Sequence, residues 1–264
     1  YPELRGLPVV VGGPRKHEPV LGPDGVRQFS RLREYQGRGV LTTATYEARQ
    51  LGVHSGMPTM KAAKLAPDAV LLPVNFDLYR RYSQLFKAAV ATVCPVIQDV
   101  GIDELYADVS DLVEDSPSIG HRIKAAVKEA TGLTCSVGLT PNKLLSKIAS
   151  DLNKPDGLTI LTAEEVPLVI WPLPVRKING IGPKSADRLA HMGIHTIGEL
   201  AAADPACLQS EFGLHYAAWL IEVAHGRDER PVQTYSEPKS ISRETTFESD
   251  LHPKRDRVVL SQAF

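Results

Sequence analysis

The order of helical and strand-like patterns between residues 75 and 161 leaves few folds open to this chain. Asn75 is a good N-cap for a helix with apolar residues at helical spacing, which ends before Pro95. Next come two strand-like runs, at residues 96–100 and 105–109, and a helix at 117–131. They are followed by a strand at 133–139, a helix at 141–152 and a last strand at 158–161. This order fits a split-βαβ, ferredoxin-like sheet in an α+β protein if one more strand precedes the first helix. No strand is evident just before Asn75, so we expect it to come from ahead of Tyr1, with residues 1–73 inserted after it.

Less regular elements are predicted on both sides of this region. Ahead of it we expect strands at residues 7–13 and 40–43, joined by a basic loop at 14–39. Two short helices should follow, at residues 45–51 and 58–66. After Trp171, short helices separated by glycine turns extend to about residue 230. Residues 231–240 have the composition of a linker, and the stretch from 241 to 264 begins like a strand.

Composition excludes several classes of protein. With 43% hydrophobic and 23% charged residues, the 264-residue chain is not disordered, collagen-like or of low complexity. No apolar run approaches the roughly 18 residues of a membrane helix, so we expect no membrane partner. Three distant cysteines without a CxxC pair argue against a disulfide framework and for a reducing cytoplasm. The net charge of −1 neither indicates nor excludes binding to nucleic acid.

The strongest local motif is INGIGPKSADRL at residues 178–189, which has the spacing of a helix-hairpin-helix. Gly180 and Gly182 allow a tight backbone turn, and Ile181 is placed to fill the space between the two helices. The free N–H groups at the start of the second helix, together with Lys184, suit a DNA phosphate without reading any base. The alternative is a plain structural hairpin with a glycine turn.

An acidic pair, Asp103 and Glu104, falls at the turn between two strand-like runs. Adjacent side chains point to opposite faces within a strand, but a turn breaks that alternation, so both carboxylates could reach one Mg²⁺. Oxygen donors of this kind are the ligands of a hard cation. A two-metal site usually takes a third carboxylate, and a solvent-exposed acidic turn is the competing interpretation.

Two further strings place polar side chains near the start of a helix. Residues 43–49 (TATYEAR) bring hydroxyls and an arginine to a strand-to-helix junction, which suits a polyphosphate but also fits an ordinary polar helix face. Residues 136–157 put Lys143, Lys147 and Lys154 near one helical face. Lys147 and Asp151 are also spaced for a simple i,i+4 ion pair.

Together these strings resemble the Y-family (translesion) DNA polymerases, of the DNA polymerase IV type. They are TATYEAR (43–49), GIDELYADVS (101–110), SVGLTPNKLLSKIASDLNKPDG (136–157) and INGIGPKSADRL (178–189), and they stand in the family's order. The resemblance implies a right-hand polymerase with small fingers, a split-βαβ palm, a helical thumb with the helix-hairpin-helix, a linker and a truncated little finger. The fingers, with the end of the N-terminal palm region, would occupy residues 1–73, the palm 74–165 and the thumb 166–230. The linker would be residues 231–240, and the incomplete little finger 241–264.

The resemblance also implies site residues and partners. Asp103 and Glu104 would be catalytic ligands of two Mg²⁺ ions. Four side chains, three from the fingers and one from the palm, would contact the triphosphate of the incoming dNTP: Thr43, Tyr46, Arg49 and Lys154. Four hairpin residues would bind primer-template DNA: Gly180, Ile181, Gly182 and Lys184. By the same resemblance the protein would be a monomer in the bacterial cytoplasm, associated with the nucleoid, and would work with a sliding clamp.

The chain departs from the family's pattern in one important respect. The family's first metal-binding Asp and its aromatic gate against ribonucleotides lie on the first palm strand, which would precede Tyr1. We therefore expect residues 1–264 to fold at least in part and to be inactive or very weak in adding dNTPs to a primer 3′-OH. Gly101 and Leu105, where many members have Ser and Ala, are mild changes beside intact carboxylates.

Two other functions stay open. A non-catalytic, polymerase-like DNA-binding factor would keep the fold without the chemistry, although the retained Asp103 and Glu104 argue against it. A nucleotidyl cyclase also uses a split-βαβ palm with paired carboxylates, but the hairpin motif at residues 178–189 disfavours it.

Overall fold

The computed structural model describes residues 1–13, 17–242, 244–247 and 249–262 and has the expected α+β composition. Its strands are β1 (Val9–Gly12), β2 (Val20–Leu21), β3 (Arg27–Gln28), β4 (Leu41–Ala44), β5 (Val70–Leu72), β6 (Ile97–Asp99), β7 (Leu105–Ala107), β8 (Val137–Leu139) and β9 (Leu158–Ile160). Its α-helices are α1 (Tyr46–Gln50), α2 (Thr59–Leu65), α3 (Phe76–Val93), α4 (Ser116–Thr131), α5 (Lys143–Leu152), α6 (Pro183–His191), α7 (Ile197–Ala201), α8 (Pro205–Phe212), α9 (Leu214–Ala224) and α10 (Arg257–Gln262). None of the helices within these described ranges combines the length and apolar character of a membrane span.

The chain divides into two compact units, of which the first comprises Tyr1–Asp77 and Pro238–Phe264. Its main sheet has β1 in the centre, with β4 antiparallel on one side and β5 parallel on the other. Val10, Leu41 and Leu71 are fully buried in the core beneath this sheet, because neighbouring strands and helices α1 and α2 cover them. The strands expected near residues 7–13 and 40–43, and both short helices, are confirmed.

Three features of the first unit differ from expectation. Residues 17–39, the described part of the expected loop, contain the short hairpin β2–β3 and a 3₁₀ turn at Leu32–Glu34. β5 lies just before Asn75, where no strand was expected, and it pairs with β1. Three apolar residues are too few to reveal a strand by alternation, which is why the sequence does not show it. The described residues between 237 and 247 form no strand, although the sequence there begins like one.

The second unit, Leu78–Glu237, holds most of α3, then β6 to β9 and helices α4 to α9. β6 and β7 form the expected antiparallel hairpin, with Gln98 opposite Tyr106, while β8 and β9 pair in parallel. The expected single sheet is therefore present as two separate two-stranded pieces. Among the described residues, β7 and β8 each pair with another strand along one edge only.

Close packing places α5 on β8. A Cβ at Gly138 would come within 2.3 Å of the Ser146 carbonyl oxygen, so glycine is required for this approach. α5 begins at Lys143, with the Asn142 side chain accepting a hydrogen bond from Leu145 N at 3.0 Å. The predicted start at Pro141 is wrong by two residues, because the asparagine side chain supplies the cap.

α4 and the C-terminal helices follow the predicted pattern closely. Asp115 caps α4, and Gly132 ends it at φ +71° as a left-handed C-cap. Ala130 is exposed, although its helical spacing from Ile123 and Val127 predicts that it faces inward. Helices α6 to α9 surround a core in which Leu189, Leu200, Leu208 and Leu220 are completely buried. The same core continues into α5 through Leu144 and Leu145, so the helices after residue 166 are packed against the element that carries Lys147.

Candidate active site

The acidic pair lies where the sequence predicts, in the turn between β6 and β7. The N–H groups of Val100 and Gly101 both donate to the Glu104 carbonyl oxygen at 3.2 Å, which closes the turn. Asp103 and Glu104 are exposed, and both line the same cavity. The turn thus breaks the strand alternation and leaves the two carboxylates accessible from one side.

The cavity beside this turn has a volume of about 320 Å³ and is lined by residues of both β7 and β8. Asp103, Glu104 and Lys154, which the sequence assigns to metal and triphosphate binding, all line it. Lys147 does so as well. The remaining wall is largely apolar and includes Phe86, Val90, Leu105, Ile123, Val127 and Val137. The structure thus brings charged groups of both signs to one end of an apolar cleft between two sheet edges.

A chain of alternating charges joins the hairpin to α5. The Lys147 ammonium contacts the Glu104 carboxylate and lies 3.9 Å from Asp151, which in turn pairs with Lys154 at 2.5 Å. Burial alone would lower the pKa of Lys147, but its hydrogen bond to Glu104 and the nearby Asp151 outweigh burial and raise that pKa. The predicted i,i+4 pair is present, and the closer partner of Lys147 is Glu104.

Lys147 was not assigned to the site from the sequence. Its spacing from Lys143 and Lys154 placed it on the relevant face, but that spacing also fitted a local ion pair with Asp151. Glu104 is 43 positions away along the chain, so only the packing of α5 against the β-hairpin brings the two together.

The residue types at the hairpin fit a divalent cation in part. Carboxylate oxygens are hard donors, and the contact of a protein ammonium with Glu104 marks a place where positive charge is stabilised. Within the part of the chain that the structure describes, however, no group of three or more His, Cys, Asp and Glu side chains lies together. A two-metal site at this turn therefore requires a carboxylate that the described residues do not supply.

The start of α5 also anchors the segment that follows α9. The Asn142 side-chain amide donates to the Gly226 carbonyl at 2.7 Å, and the Lys143 ammonium donates to the Pro231 carbonyl at 2.7 Å. Asp228 accepts from Leu144 N at 3.1 Å, so it satisfies a free N–H group in the first turn of α5. The Arg230 guanidinium, hydrogen-bonded to Asp228, lowers the pKa of that carboxyl.

The first unit contains the other three residues assigned to the triphosphate. Thr43 is exposed on β4, and Tyr46 and Arg49 are exposed one turn apart on α1. The Arg49 guanidinium lies 5.5 Å from the Tyr46 ring centroid and donates to the Ala44 carbonyl at 3.0 Å. The Thr45 hydroxyl caps α1. The predicted strand-to-helix junction with an accessible arginine is therefore present.

The hairpin motif has the expected turn but a shortened first helix. A 3₁₀ turn at Val175–Lys177 takes the place of that helix, and α6 is the second. Ile181 is buried at 4% exposure, as a residue filling the hairpin should be. Gly180 has φ +109°, whereas a Cβ on Gly182 would meet nothing within 4 Å. Lys184 is exposed, so the open side of the hairpin carries a positive charge.

Comparison with protein-family models gives two matches that divide the chain in order. Residues 1–151 match the impB/mucB/samB family, and residues 163–194 match the helix-hairpin-helix motif described as the IMS family HHH motif. The second match contains the hairpin motif found in the sequence.

Curated relatives share about two fifths of the sequence. A protein named DNA polymerase IV from Alkalilimnicola ehrlichii is 42% identical over 254 residues, which are 95% of this chain and 66% of that protein. A protein of the same name from Methanoculleus marisnigri is 42% identical over 251 residues, or 94% of this chain and 65% of that protein. The chain therefore spans about two thirds of the length of these relatives.

Solved structures with a similar fold are Y-family DNA polymerases. A chimera of the Y-family DNA polymerases Dbh and Dpo4 is 31% identical with a TM-score of 0.72, over 90% of this chain and 65% of that one. An insertion ternary complex of Dbh DNA polymerase is 30% identical with a TM-score of 0.71, over 88% of this chain and 64% of that one. The predicted resemblance to Y-family polymerases is confirmed, as are the α+β fold class and the helix-hairpin-helix motif.

Proposed function

The chain belongs to the impB/mucB/samB family, and on that basis we propose that its protein is a template-directed DNA polymerase that extends primers past damaged bases. The single observation that best supports this proposal is that Asp103, Glu104 and Lys154 line one cavity. These are carboxylates for metal ions and a cation for phosphate, which are the groups that nucleotidyl transfer requires.

The proposed reaction joins the primer 3′-oxygen to the α-phosphorus of a dNTP, while the bond to the β-phosphate breaks and pyrophosphate leaves. Asp103 and Glu104 would hold the Mg²⁺ ions, with Glu104 toward the primer. Bound Mg²⁺ would supply a Lewis acid for the attacking and leaving oxygens. In this proposal the chain presents two carboxylates from one turn and places Lys147 and Lys154 in the same cavity.

The further carboxylate is assigned to the cleft between β7 and β8. Both strands have an edge that pairs with no strand among the described residues, and the space between them is lined mainly by apolar side chains. We propose that an extended segment carrying a further Asp pairs with these edges and completes the split-βαβ sheet. Without that segment, residues 1–264 should add nucleotides weakly or not at all.

Phosphate-binding groups are proposed in each unit separately. Lys154 is exposed and its partner Asp151 is half-buried, so their ion pair is open to solvent and a phosphate could replace that partner at little cost. Arg49 is fixed by its hydrogen bond to Ala44 and its contact with Tyr46, and so presents a preorganised guanidinium. Thr43 would add a hydroxyl donor. Each of these groups could supply positive charge or a hydrogen-bond donor to a polyphosphate.

DNA binding is assigned to the hairpin. The N–H groups of Gly182, Lys184 and Ser185 have no acceptor among the described residues, and the open space at Gly182 admits a phosphate. Such contacts grip the backbone without reading sequence. Family membership also carries the proposals of a monomer in the bacterial cytoplasm, near the nucleoid, that cooperates with a sliding clamp.

Primer extension with Mg²⁺ tests the proposed function. The complete product of the gene is compared with residues 1–264 on a primer-template, and only the complete product is expected to add the templated nucleotide efficiently. In that product Asp103→Ala should abolish addition and leave duplex affinity within about twofold, because it removes a metal ligand and no DNA contact. Asp111→Ala, an exposed acid close by in sequence, is the matched control.

The outcomes separate the rival functions. DNA binding without nucleotide addition by the complete product would favour a non-catalytic DNA-binding factor. Formation of a cyclic nucleotide from a nucleoside triphosphate without primer would favour a nucleotidyl cyclase. Efficient extension by residues 1–264 would contradict the requirement for a further carboxylate.

A further inference from the structure

Helix α9 contacts the hairpin turn through a tyrosine and a tryptophan one turn apart. The Tyr216 hydroxyl donates a hydrogen bond to the Gly180 carbonyl at 3.1 Å and lies 3.2 Å from the Ser185 hydroxyl. A Cβ added to Gly180 would lie 2.8 Å from the Trp219 ring. The glycine turn is therefore contacted by two aromatic side chains of α9, which lies outside the hairpin motif.

The phenol of Tyr216 has little freedom to move. Its ring stacks on Trp219 with centroids 5.1 Å apart and an interplanar angle of 28°, and the Phe212 ring centroid lies 5.7 Å away. A tyrosine hydroxyl has one hydrogen, so when it donates to Gly180 it accepts from Ser185. Ser185 is in the first turn of α6, so this hydroxyl pair joins the hairpin turn to the start of that helix.

The turn controls where the free N–H groups point. The Ile181 N–H already donates to the Ile178 carbonyl, whereas those of Gly182, Lys184 and Ser185 have no acceptor in the described part of the chain. The Gly180 carbonyl shares its peptide plane with the Ile181 N–H, one residue before Gly182, and Gly180 has a φ of +109° that few residues other than glycine adopt. A hydrogen bond that fixes the Gly180 carbonyl therefore restrains the turn from which the chain enters α6 with its free N–H groups.

We propose that Tyr216 is a positioning residue for duplex DNA. It holds the Gly180 peptide so that the N–H groups at the start of α6 point together at one backbone phosphate. This inference rests on the proposed binding of DNA by the hairpin. Tyr216 itself contacts no DNA in this account and acts through the turn alone.

Fluorescence anisotropy with a labelled duplex, measured over a range of salt concentrations, tests the inference on the complete gene product. Tyr216→Phe should weaken binding roughly threefold to tenfold, as expected for the loss of one orienting hydrogen bond. The slope of log affinity against log salt concentration should be the same for Tyr216→Phe as for the unaltered protein, because no charge is removed. Lys184→Ala should instead reduce that slope by about 0.9, the value for one phosphate contact.

Tyr82→Phe is the matched control, since the Tyr82 hydroxyl has no hydrogen-bond partner among the described residues and lies on the distant α3. Ser185→Ala should weaken duplex binding less than Tyr216→Phe. The fold-decrease in duplex affinity of the double variant should be smaller than the product of the two single fold-decreases. Amide resonances of residues 180 to 185 should shift in Tyr216→Phe, while metal-dependent dNTP binding should not change.

The possible failures are distinguishable. If Lys184→Ala weakens binding and Tyr216→Phe does not, the inference is overturned and the proposed function stands. If Tyr216→Phe lowers DNA binding and dNTP binding equally, together with the unfolding temperature, its role is structural and the inference is also overturned. If the unaltered protein binds no duplex, or Lys184→Ala has no effect, DNA binding by the hairpin fails and the inference falls with it.

Discussion

The ammonium of Lys147 contacts the carboxylate of Glu104, which links helix α5 to the turn of the β6–β7 hairpin. The contact depends on Gly138, whose missing side chain lets α5 approach β8 closely. One of the two carboxylates proposed to bind metal is thus already neutralised by a cation of the protein. A metal ion that binds Glu104 must compete with Lys147 or displace it.

This ion pair predicts an unusual effect of removing a lysine. Lys147→Met should tighten Mn²⁺ binding in the absence of nucleotide by roughly fivefold, since a unit charge about 4 Å away contributes about 1 kcal/mol in water. Electron paramagnetic resonance of free Mn²⁺ measures this affinity. Lys87→Met is the matched control, because it removes an ion pair with Asp99 on the same hairpin. Weaker Mn²⁺ binding in Lys147→Met would mean that Lys147 orients Glu104 and does not compete for it.

The two hairpin glycines should respond differently to a methyl group. Gly180→Ala should lower the unfolding temperature, because a Cβ would meet Trp219 at 2.8 Å and φ is +109°. Gly182→Ala should leave the unfolding temperature unchanged, since its Cβ would meet no protein atom within 4 Å, and should weaken duplex binding at least threefold by occupying the proposed phosphate position. Calorimetry and anisotropy on both variants check this. Equal duplex affinity for Gly182→Ala and the unaltered protein would contradict the proposal that a phosphate binds at Gly182.

Asp228 should make stability depend on acid pH. Its hydrogen bond with Arg230 lowers its pKa below the ordinary 3.8, so its stabilisation is complete above that value and is lost as pH falls through the lower, folded pKa. Asp228→Asn should cost about 1 kcal/mol at pH 7, because Leu144 N and Arg230 lose a charged acceptor. Urea unfolding of both proteins at pH 7 and at pH 3 should show the difference shrinking in acid. An equal difference in the free energy of unfolding at pH 7 and at pH 3 would contradict the stabilising role of ionised Asp228.

The proposed phosphate cation can be tested without catalysis. Lys154→Ala should weaken Mn²⁺-dependent dNTP binding by about tenfold, the effect of losing one charged hydrogen bond of about 1.4 kcal/mol. Lys128→Ala, at the far end of α4 with its ammonium on the Gly132 carbonyl, is the control. Isothermal calorimetry with a dNTP gives both affinities. Unchanged affinity in Lys154→Ala would exclude Lys154 from the triphosphate site.

Local chemistry made part of this structure predictable. Asp103 and Glu104 were placed in a turn because turn residues separate two β-rich runs. Ile181 was placed between the two hairpin helices because the spacing of the motif puts an apolar residue there. The helix at residues 117–131 was ended just before Gly132 because glycine adopts the positive φ of a C-cap at low cost. In each case the signal lies within about ten residues.

Features that depend on distant parts of the chain were not predictable. β2 and β3 are two residues each and β5 is three, so none shows a period, and their pairing is set by the sheet. The Lys147–Glu104 contact joins positions 43 apart and was hidden behind an equally reasonable local pair. Tyr216 lies 36 positions beyond Gly180 and outside the hairpin motif that it supports.

Metal-dependent binding of a dNTP tests most directly the claim that the hairpin carboxylates form a nucleotide-binding metal site. Mn²⁺ is titrated into the complete gene product with a dNTP, and its bound fraction is read by electron paramagnetic resonance. We expect Asp103→Ala to weaken Mn²⁺–dNTP binding by more than tenfold, and Asp111→Ala to match the unaltered protein. Equal binding by Asp103→Ala and Asp111→Ala would contradict the central claim, because the acidic turn would then be an ordinary exposed turn.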